Sequence, residues 1–235
     1  MLELYKNQMP CLVALDSIVF GFDGEQLKLL LVNRGLESEG STWSLMGGWL
    51  QPNESLDEAA HRILFEHTGL KNVYLEQLAS FGNPKRDPIM RTVSVTYKAL
   101  VNIDDYEKKI SNTLSAAWFS LRKLPKLLFD HAEMVEIAIE RLRKNAALHP
   151  IGFELLPEKF TLLQLQNLYE AIFDTQFDKR NFSRRILNTG YIVKTNQKQI
   201  GFSKKGAYFY ILNKNKFQEN KTFNFLFMPN TERIL

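Results

Sequence analysis

Apolar runs near the start of the chain predict a β-hairpin. Residues 12–22 are rich in Val, Ile, Leu and Phe, and residues 27–32 form a second apolar run. The pair Asp23-Gly24 between the two runs favours a tight turn, because Gly accepts the positive φ that such turns require. We therefore expect two neighbouring antiparallel strands in this region.

The following pattern predicts a short strand, a loop and a helix. Residues 43–50 read as the strand, and residues 54–67 carry apolar side chains at helical spacing. Asn53 or Ser55 can cap the start of this helix. Gly69 lies just beyond its end, where a glycine stops a helix well.

Two further strands and a second helix complete the first half of the pattern. Residues 73–81 and 93–101 predict the strands, and apolar and polar residues alternate in the second of them. Residues 127–144 place their apolar side chains on one helical face.

A change of pattern near residue 150 predicts a second domain. Pro150 and Gly152 interrupt the chain there. We therefore predict domains at residues 1–147 and 152–228, each large enough to bury its own core.

The second domain has the pattern of two helices followed by a hairpin. Thr161 can cap the first helix and Asp178 the second. Strand-like runs at residues 191–194 and 207–212 enclose a polar loop. The apolar residues of the second helix, which we expect to face the core, are Phe182, Ile186 and Leu187.

The composition is that of a soluble globular protein. The chain has 235 residues and a mass of 27.3 kDa. Cys11 is its single cysteine, which excludes an internal disulfide framework, and its apolar surroundings favour a buried thiol. The first residues lack the features of a signal peptide, and no apolar run is long enough to span a bilayer. We therefore expect a cytoplasmic protein that does not associate with a membrane.

Charge is distributed unevenly along the chain. Residues 1–150 contain 17 Lys and Arg against 19 Asp and Glu, whereas residues 151–235 contain 13 against 7. From Lys179 to Lys216 there are ten basic residues and no acidic one. A run this long without an acidic residue favours a polyanionic partner over a merely solvated surface.

The basic residues cluster on the second helix and the hairpin of the second domain, a combination that resembles a winged-helix DNA-binding domain. In such domains the second helix enters the major groove, and the wing touches the backbone or the minor groove. Lys and Arg neutralise phosphates, and Arg and Asn can also read guanine or adenine edges. The residues predicted to bind double-stranded DNA are Lys179, Arg180, Asn181, Ser183, Arg184, Arg185, Lys194, Lys198, Lys204 and Lys205.

Two other interpretations of the basic domain remain open. The first is a small helical accessory domain with a solvated basic face, used for dimerisation. The second is RNA binding, which ranks lower because no aromatic stacking motif of the RRM type is visible.

Residues 48–70 of the first domain read GWLQPNESLDEAAHRILFEHTGL. This stretch resembles the Nudix box, the loop and helix with which Nudix hydrolases hold Mg²⁺. Two glutamates of the family pattern are replaced, by Ile63 and His67. The residues that match in register are Gly48, Glu54, Arg62, Leu64, Glu66, Gly69 and Leu70.

The two replacements remove metal ligands. Ile63, Glu66 and His67 lie on one face of the predicted helix, where the family's glutamates converge on a cation. Ile63 offers no ligand, and His67 is a nitrogen donor better suited to zinc or iron than to magnesium. We therefore predict a Nudix fold with no catalytic residues, bound metal or cofactor, and expect His67 to contact a neighbouring polar group. The alternatives are a helix that simply packs on the core and an active enzyme with displaced ligands.

Together, the altered box and the basic domain resemble the Nudix-related transcriptional regulators over essentially the whole chain. Further matches lie in Lys85-Arg86-Asp87-Pro88 and residues 91–97, 153–161 and 178–182. The resemblance implies an α+β fold, with an N-terminal Nudix-like α/β/α sandwich and a C-terminal winged helix-turn-helix domain. It also implies that the first domain binds a metabolite and that the second binds operator DNA as a homodimer.

Regulators of this kind are expected to respond to ADP-ribose-like nucleotides or to sugars such as L-arabinose. Because carboxylates that would help a metal to hold a diphosphate are missing, we predict a pentose-type sugar and rank ADP-ribose second. The alternatives for the pocket are a surface ion pair between Arg86 and Asp87, and ordinary core positions for Trp43 and Phe81. The predicted effector-binding residues are Arg86, Asp87, Lys85, Phe81, Trp43 and Glu66.

The complete prediction is a repressor whose homodimer binds a palindromic operator, with half-sites about one helical turn apart. The effector would shift the spacing of the two winged helices. An active Nudix hydrolase of a nucleotide or sugar diphosphate is the main alternative, and a scaffold with neither activity is a third.

Overall fold

The computed structural model of the chain contains two packed parts, one built on a seven-stranded sheet and the other on a three-stranded sheet. It describes residues 6, 8–35, 43–106, 116–148, 151–199 and 206–219. None of the helices in these ranges is long and apolar enough to cross a membrane.

The larger sheet is built around one long central strand. Its strands are β1 (Leu12–Phe22), β2 (Leu27–Asn33), β3 (Trp43–Ser44), β4 (Met46–Trp49), β5 (Glu76–Phe81), β6 (Thr92–Asn102) and β7 (Ala116–Ser120). β1 runs parallel to β6 along its whole length, and β5 adds to β6 in the antiparallel direction. On its other side, β1 pairs first with β4 and then with β2, and β2 also pairs with β3 and β7. The predicted hairpin is confirmed, since Phe22 pairs with Leu27.

Helices cover both faces of this sheet. They are α1 (Leu56–Thr68), α2 (Ile103–Tyr106) and α3 (His131–Leu148), with a 3-10 turn at Leu121–Lys123. Successive residues of a strand point to opposite faces, so Leu15 packs with α1 residues while Ile18 and Phe20 share a core with α3. This layering confirms the predicted Nudix-like α/β/α sandwich.

The start of α1 is set by a capping box. The Ser55 hydroxyl accepts a hydrogen bond from the Glu58 backbone N–H, and the Glu58 carboxylate accepts one from the Ser55 backbone N–H. Of the two predicted caps, Ser55 is therefore confirmed and Asn53 is wrong, so the helix begins at Leu56 rather than at residue 54. Gly69 ends the helix with a φ of 71°, as predicted.

The second part has the predicted winged-helix topology. Its elements are a 3-10 turn (Phe153–Leu155), β8 (Phe160–Thr161), α4 (Leu162–Phe173), α5 (Lys179–Thr189), β9 (Ile192–Gln199), β10 (Ala207–Leu212) and α6 (Lys214–Glu219). Thr161 and Asp178 cap α4 and α5, as predicted. β10 lies between β8 and β9, and the hairpin of β9 and β10 forms the wing.

Three local predictions are wrong. β9 extends to Gln199 instead of ending near residue 194, because backbone pairing with β10 continues where the polar sequence shows no apolar signal. Leu187 is 42% exposed, because it follows Ile186 by one residue and so projects about 100° away from the buried face of α5. Cys11 is exposed, since it lies just before the start of β1.

The two parts share one hydrophobic core. One buried cluster joins residues of β1, β2 and α3 to residues of α4, α5 and the wing. Polar contacts reinforce the junction. The Arg143 guanidinium of α3 donates to the Ile172 carbonyl at 2.9 Å, and the Asn167 side-chain amide donates to the Gly24 carbonyl at 3.2 Å. The predicted domain limits, residues 1–147 and 152–228, stay predictions.

Candidate functional site

The carboxylates that remain in the Nudix-like box are held by Arg62. Its Nε lies 2.8 Å from Glu54 Oε2, and its Nη1 lies 3.1 Å from Glu66 Oε2. Its Nη2 also donates to the Trp49 carbonyl at 2.9 Å. The Arg62 guanidinium lowers the pKa of the Glu54 carboxyl below its usual value, and both carboxylates raise the pKa of Arg62. In this arrangement Arg62 ties the loop to the helix through Glu54 and the Trp49 carbonyl, and Glu66 pairs with Arg62 along the helix.

Ile63, which replaces the first glutamate, belongs to the core. It is 1% exposed and packs in a cluster with Leu15, Ala60 and Val95. A Cβ added to Gly48 would lie 2.9 Å from Ile63 Cγ1, so the box loop passes directly over this side chain. A ligand to a cation cannot come from this position.

His67, which replaces the last glutamate, contacts the box loop. Its Nε2 lies 3.1 Å from the Gly47 carbonyl oxygen, so the ring holds the loop when that nitrogen carries the proton. Within the described ranges, no group of three or more His, Cys, Asp or Glu side chains is placed to hold a metal ion. The three helix positions therefore serve packing, an ion pair and a loop contact.

A second set of polar residues is buried on the opposite face of the sheet, at the start of α3. Arg86 donates to both carboxylate oxygens of Asp130 at 2.9 Å, and its Nη2 lies 3.8 Å from Asp16 Oδ2. Ser94 donates to the same Asp16 carboxylate at 2.6 Å. The Arg86 and Asp16 side chains are only 5% and 6% exposed. This is a buried, fully paired charge network, and its members come from β1, β6, the β5–β6 loop and the α3 terminus.

His131 completes the network in its neutral form. Burial is the largest influence on this ring and lowers its pKa, although the neighbouring Asp16 opposes the shift. The Leu45 backbone N–H donates to His131 Nδ1 at 3.3 Å, which places the ring proton on Nε2. Nε2 lies 3.6 Å from Asp16 Oδ1, so the N–H points towards the carboxylate.

Arg34 connects this network to the box loop. Its Nε donates to the Ser44 hydroxyl at 3.1 Å, and its Nη2 donates to the Gly47 carbonyl at 3.1 Å. The same carbonyl lies next to His67. The two faces of the sheet therefore meet at the backbone of Gly47.

The structure places the six predicted effector-binding residues in different environments. Arg86 and Asp87 lie in the β5–β6 loop, where Asp87 accepts the Ile89 backbone N–H at 2.9 Å and Arg86 pairs with Asp130. The alternative of an ion pair between Arg86 and Asp87 is therefore wrong. The remaining four are an exposed Lys85, a half-buried Trp43 that stacks edge-on against Phe119, a core Phe81, and a Glu66 that lies on α1 across the sheet.

Sequence reasoning missed three members of the buried network, Asp16, Asp130 and His131, and it also missed the exposed Arg34 that connects to them. One signal was available, because Asp16 is the single charged residue of β1 and lies in its buried part. A carboxylate in such a position needs a buried partner. The sequence alone could not identify that partner, because Arg86 is far from Asp16 along the chain.

The helix α5 presents a basic surface. Phe182 and Ile186 anchor it to the core and are 1% and 0% exposed. Ser183 is half-buried, and the exposed members of the predicted set are Lys179, Arg180, Asn181, Arg184 and Arg185. Asn181 Oδ1 accepts a hydrogen bond from Arg184 Nη2 at 3.0 Å, which holds these two side chains next to one another.

The charge of the first turn of α5 is opposite to what helix stability favours. Lys179 and Arg180 occupy the first turn, where the helix dipole is positive, and the acidic residue next to them is the N-cap Asp178. Cations at this end are unfavourable, whereas an approaching anion is favoured. The arrangement therefore suits a polyanionic partner.

The wing adds two more exposed cations, Lys194 and Lys198, both of which lie over the ring of Tyr208. Lys204 and Lys205, also predicted to bind DNA, lie outside the described residues. The structure thus brings the basic residues of α5 and of the wing into one domain.

Comparison with known families identifies both parts. The model of the NUDIX domain matches residues 12–137, and the model of the NrtR DNA-binding winged helix domain matches residues 152–212. An ADPR responsive transcriptional repressor, NtrR, of Acinetobacter baylyi is 37% identical over 203 residues, which cover 84% of this chain and 81% of that protein. The chain belongs to the NrtR family.

A solved structure agrees with this family, and a second relative is similar to part of the chain. The crystal structure of Shewanella oneidensis NrtR complexed with a 27mer DNA has a TM-score of 0.77 and 30% identity, and the match covers 91% of this NrtR-family chain and 97% of that chain. An ADP-ribose pyrophosphatase of Methanocaldococcus jannaschii is 29% identical over 136 residues, or 57% of this chain and 77% of that protein. Both curated relatives carry ADP-ribose in their names, so the predicted pentose effector finds no support.

Proposed function

We propose that this NrtR-family protein is a transcriptional repressor that binds operator DNA through its winged helix and responds to ADP-ribose. The observation that carries the proposal is α5, a helix anchored by Phe182 and Ile186 whose outward residues are basic. Similarity over most of the chain to a repressor described as ADPR responsive, and to an NrtR crystallised with DNA, supports it.

In the proposed complex, α5 lies in the major groove. Arg180, Arg184 and Arg185 can donate in pairs to guanine O6 and N7, and Asn181 can pair with adenine. Lys179 and the wing lysines Lys194 and Lys198 neutralise phosphates, a role also proposed for Lys204 and Lys205. Because Arg184 holds Asn181 in the free protein, the two must read neighbouring positions or exchange this contact for base contacts.

We propose a homodimer for operator binding. A two-fold symmetric pair of α5 helices would read a palindrome whose half-sites lie about one helical turn apart. Light scattering on the free protein, and the stoichiometry of its complex with a duplex, test this directly. A monomer that binds one half-site as tightly as the whole palindrome would contradict it.

The proposed effector site lies at the β5–β6 loop. Lys85 and Arg86 offer positive charge for a diphosphate, and Trp43 and Asp87 border the same side of the sheet. We leave Phe81 and Glu66 out of the proposed contacts, because Phe81 is core and Glu66 is paired with Arg62. In this proposal Lys85 and Arg86 supply the positive charge that a diphosphate needs.

The helix α3 offers a route from this site to the DNA-binding part. Asp130, just before α3, is paired with Arg86, and Arg143 near its other end holds the end of α4. A diphosphate that binds Arg86 competes with Asp130 for the same guanidinium. We propose that this exchange shifts α3 and, with it, the winged helix.

One experiment tests both halves of the proposal. Duplexes selected from a random library are titrated with the purified protein, and the complex is then challenged with ADP-ribose or with L-arabinose. We expect salt-sensitive, sequence-selective binding that ADP-ribose weakens and L-arabinose leaves unchanged. Binding without sequence preference would overturn the DNA-reading role, and indifference to ADP-ribose would overturn the effector assignment.

A second candidate function, hydrolysis of ADP-ribose, is favoured by the similarity to a pyrophosphatase. The geometry of the box opposes it, since Ile63 is core and Arg62 holds both glutamates. Incubation with Mg²⁺ and ADP-ribose distinguishes the two functions. Turnover that Glu66→Gln abolishes would establish the enzyme.

A further inference from the structure

The wing presents its basic residues on the same side as α5. Side chains alternate along a strand, and residues directly opposite in an antiparallel pair share a face. Ile192 and Tyr210 face inwards and are 6% and 8% exposed. Lys194 lies opposite Tyr210, and Lys198 lies opposite Tyr208. A register irregularity separates the two pairs, but the spacing is an even number of residues on both strands, so the pairs keep the same face. The face that packs on the helices near the base of the wing therefore continues outwards as a basic surface.

The ring of Tyr208 contacts both lysines of this surface. The Lys194 ammonium lies 3.5 Å from the centre of the Tyr208 ring, and the Lys198 ammonium lies 4.5 Å from it. Both distances are well inside the range in which the ring attracts a cation. The two ammonium groups are separated by no more than the sum of these distances.

This convergence has an electrostatic cost in the free protein. Two like charges held close together repel each other, and the lysine side chains also lose rotamer freedom. The attraction of the aromatic ring offsets part of that cost. An anion that contacts both ammonium groups removes the repulsion, and a DNA phosphate is an anion of the right kind.

We propose that Tyr208 is a positioning residue for DNA binding, whose ring holds Lys194 and Lys198 as a preformed clamp for backbone phosphate. The inference rests on the proposed function, because it concerns the same DNA-binding surface. It adds the uncharged Tyr208 to that surface. In this inference Tyr208 strengthens DNA binding by positioning the two lysines and not by contacting a base.

The test compares variants of the full-length protein on one selected duplex across a range of salt concentrations. Tyr208→Leu removes the ring, Tyr208→Phe keeps it, and Lys194→Gln removes one cation. We expect Tyr208→Leu to weaken binding roughly 3- to 30-fold and Tyr208→Phe to bind like the wild type. The salt slope should stay unchanged in Tyr208→Leu and fall by about one in Lys194→Gln, since only the latter loses a phosphate contact.

Two controls keep this test specific. Tyr74 is 80% exposed on the first domain, so Tyr74→Leu should leave DNA binding unchanged. Thermal unfolding of each variant separates a lost clamp from a lost fold, and Tyr208→Phe serves as the fold-neutral comparison.

The outcomes separate this inference from the proposed function. If the wild type binds no duplex selectively, the proposed function fails and the clamp fails with it. If the wild type binds and Tyr208→Leu binds equally well, only the clamp is overturned. Equal losses in Tyr208→Leu and Tyr208→Phe would also overturn it, because the hydroxyl and not the ring would then matter.

Discussion

Removing Arg86 should destabilise the fold far more than removing a surface arginine that makes a similar contact. In Arg86→Ala, Asp16 and Asp130 lose their cation while their side chains stay 6% and 16% exposed. Breaking a buried ion pair from one side costs about 3–5 kcal/mol, because an uncompensated charge remains. For a chain of this length each kcal/mol lowers Tm by about 2–4 °C, so we expect a loss of roughly 6–20 °C.

The matched control is Arg122→Ala. Arg122 also pairs with an aspartate, Asp174, at 2.7 Å, but the two side chains are 70% and 56% exposed. Exposed pairs contribute about 0–1 kcal/mol, since water screens them, so the expected change in Tm is small. Arg86→Met keeps much of the apolar volume but not the charge and should resemble Arg86→Ala.

Urea and thermal unfolding, followed by circular dichroism, measure both changes at a pH where the carboxylates are ionised. If Arg86→Ala and Arg122→Ala have the same Tm, the buried network does not stabilise the fold as its geometry implies. A stable Arg86→Met beside an unstable Arg86→Ala would assign the loss to packing instead of charge.

Three further expectations follow from the same structure. Burial lowers the pKa of His131, so below pH 6.5, the ordinary pKa of a histidine, the unfolded chain takes up a proton that the folded chain resists. Stability should therefore be full above that pH and fall as the pH drops below it, and His131→Gln should flatten this fall. Gly48→Ala should cost about 1–3 kcal/mol through its contact with Ile63, and Ile63→Ala in the same chain should relieve part of that cost, whereas strictly additive losses in urea would contradict the contact. Arg184→Ala should weaken duplex binding by about 1–3 kcal/mol and relax specificity at one base pair, while the exposed Arg141→Ala on α3 should leave both unchanged; a uniform loss on all sequences would assign Arg184 to phosphate contact.

Local rules account for most of the elements. Ser55 and Asp178 cap their helices because their side chains satisfy free backbone N–H groups within three residues. Phe182 and Ile186 are four residues apart, so helical periodicity alone places them on one buried face. The exposed basic side of α5 follows from the same periodicity.

The candidate site was less accessible to such rules. The prediction of a sugar effector was based on the loss of the box glutamates, which are metal ligands in the Nudix family. It did not consider the arginines of other loops as a source of positive charge for a diphosphate. The pairing of Arg86 with Asp130 joins residues 44 positions apart, and no short pattern reports it. Glu66 matched the family pattern in sequence, yet the structure places it on the outer helix in an ion pair with Arg62.

By itself the sequence determined most of the strands and helices, the caps at Thr161 and Asp178, the family resemblance and the basic character of α5, since each depends on residues within a few positions of one another. Only the tertiary structure decided which buried charges meet, that Ile63 lies under Gly48, that one core joins both domains, and that Tyr208 collects two lysines. Those pairings depend on strand register and on the placement of helices across the sheet. They are set by packing the whole chain, which no local spacing encodes.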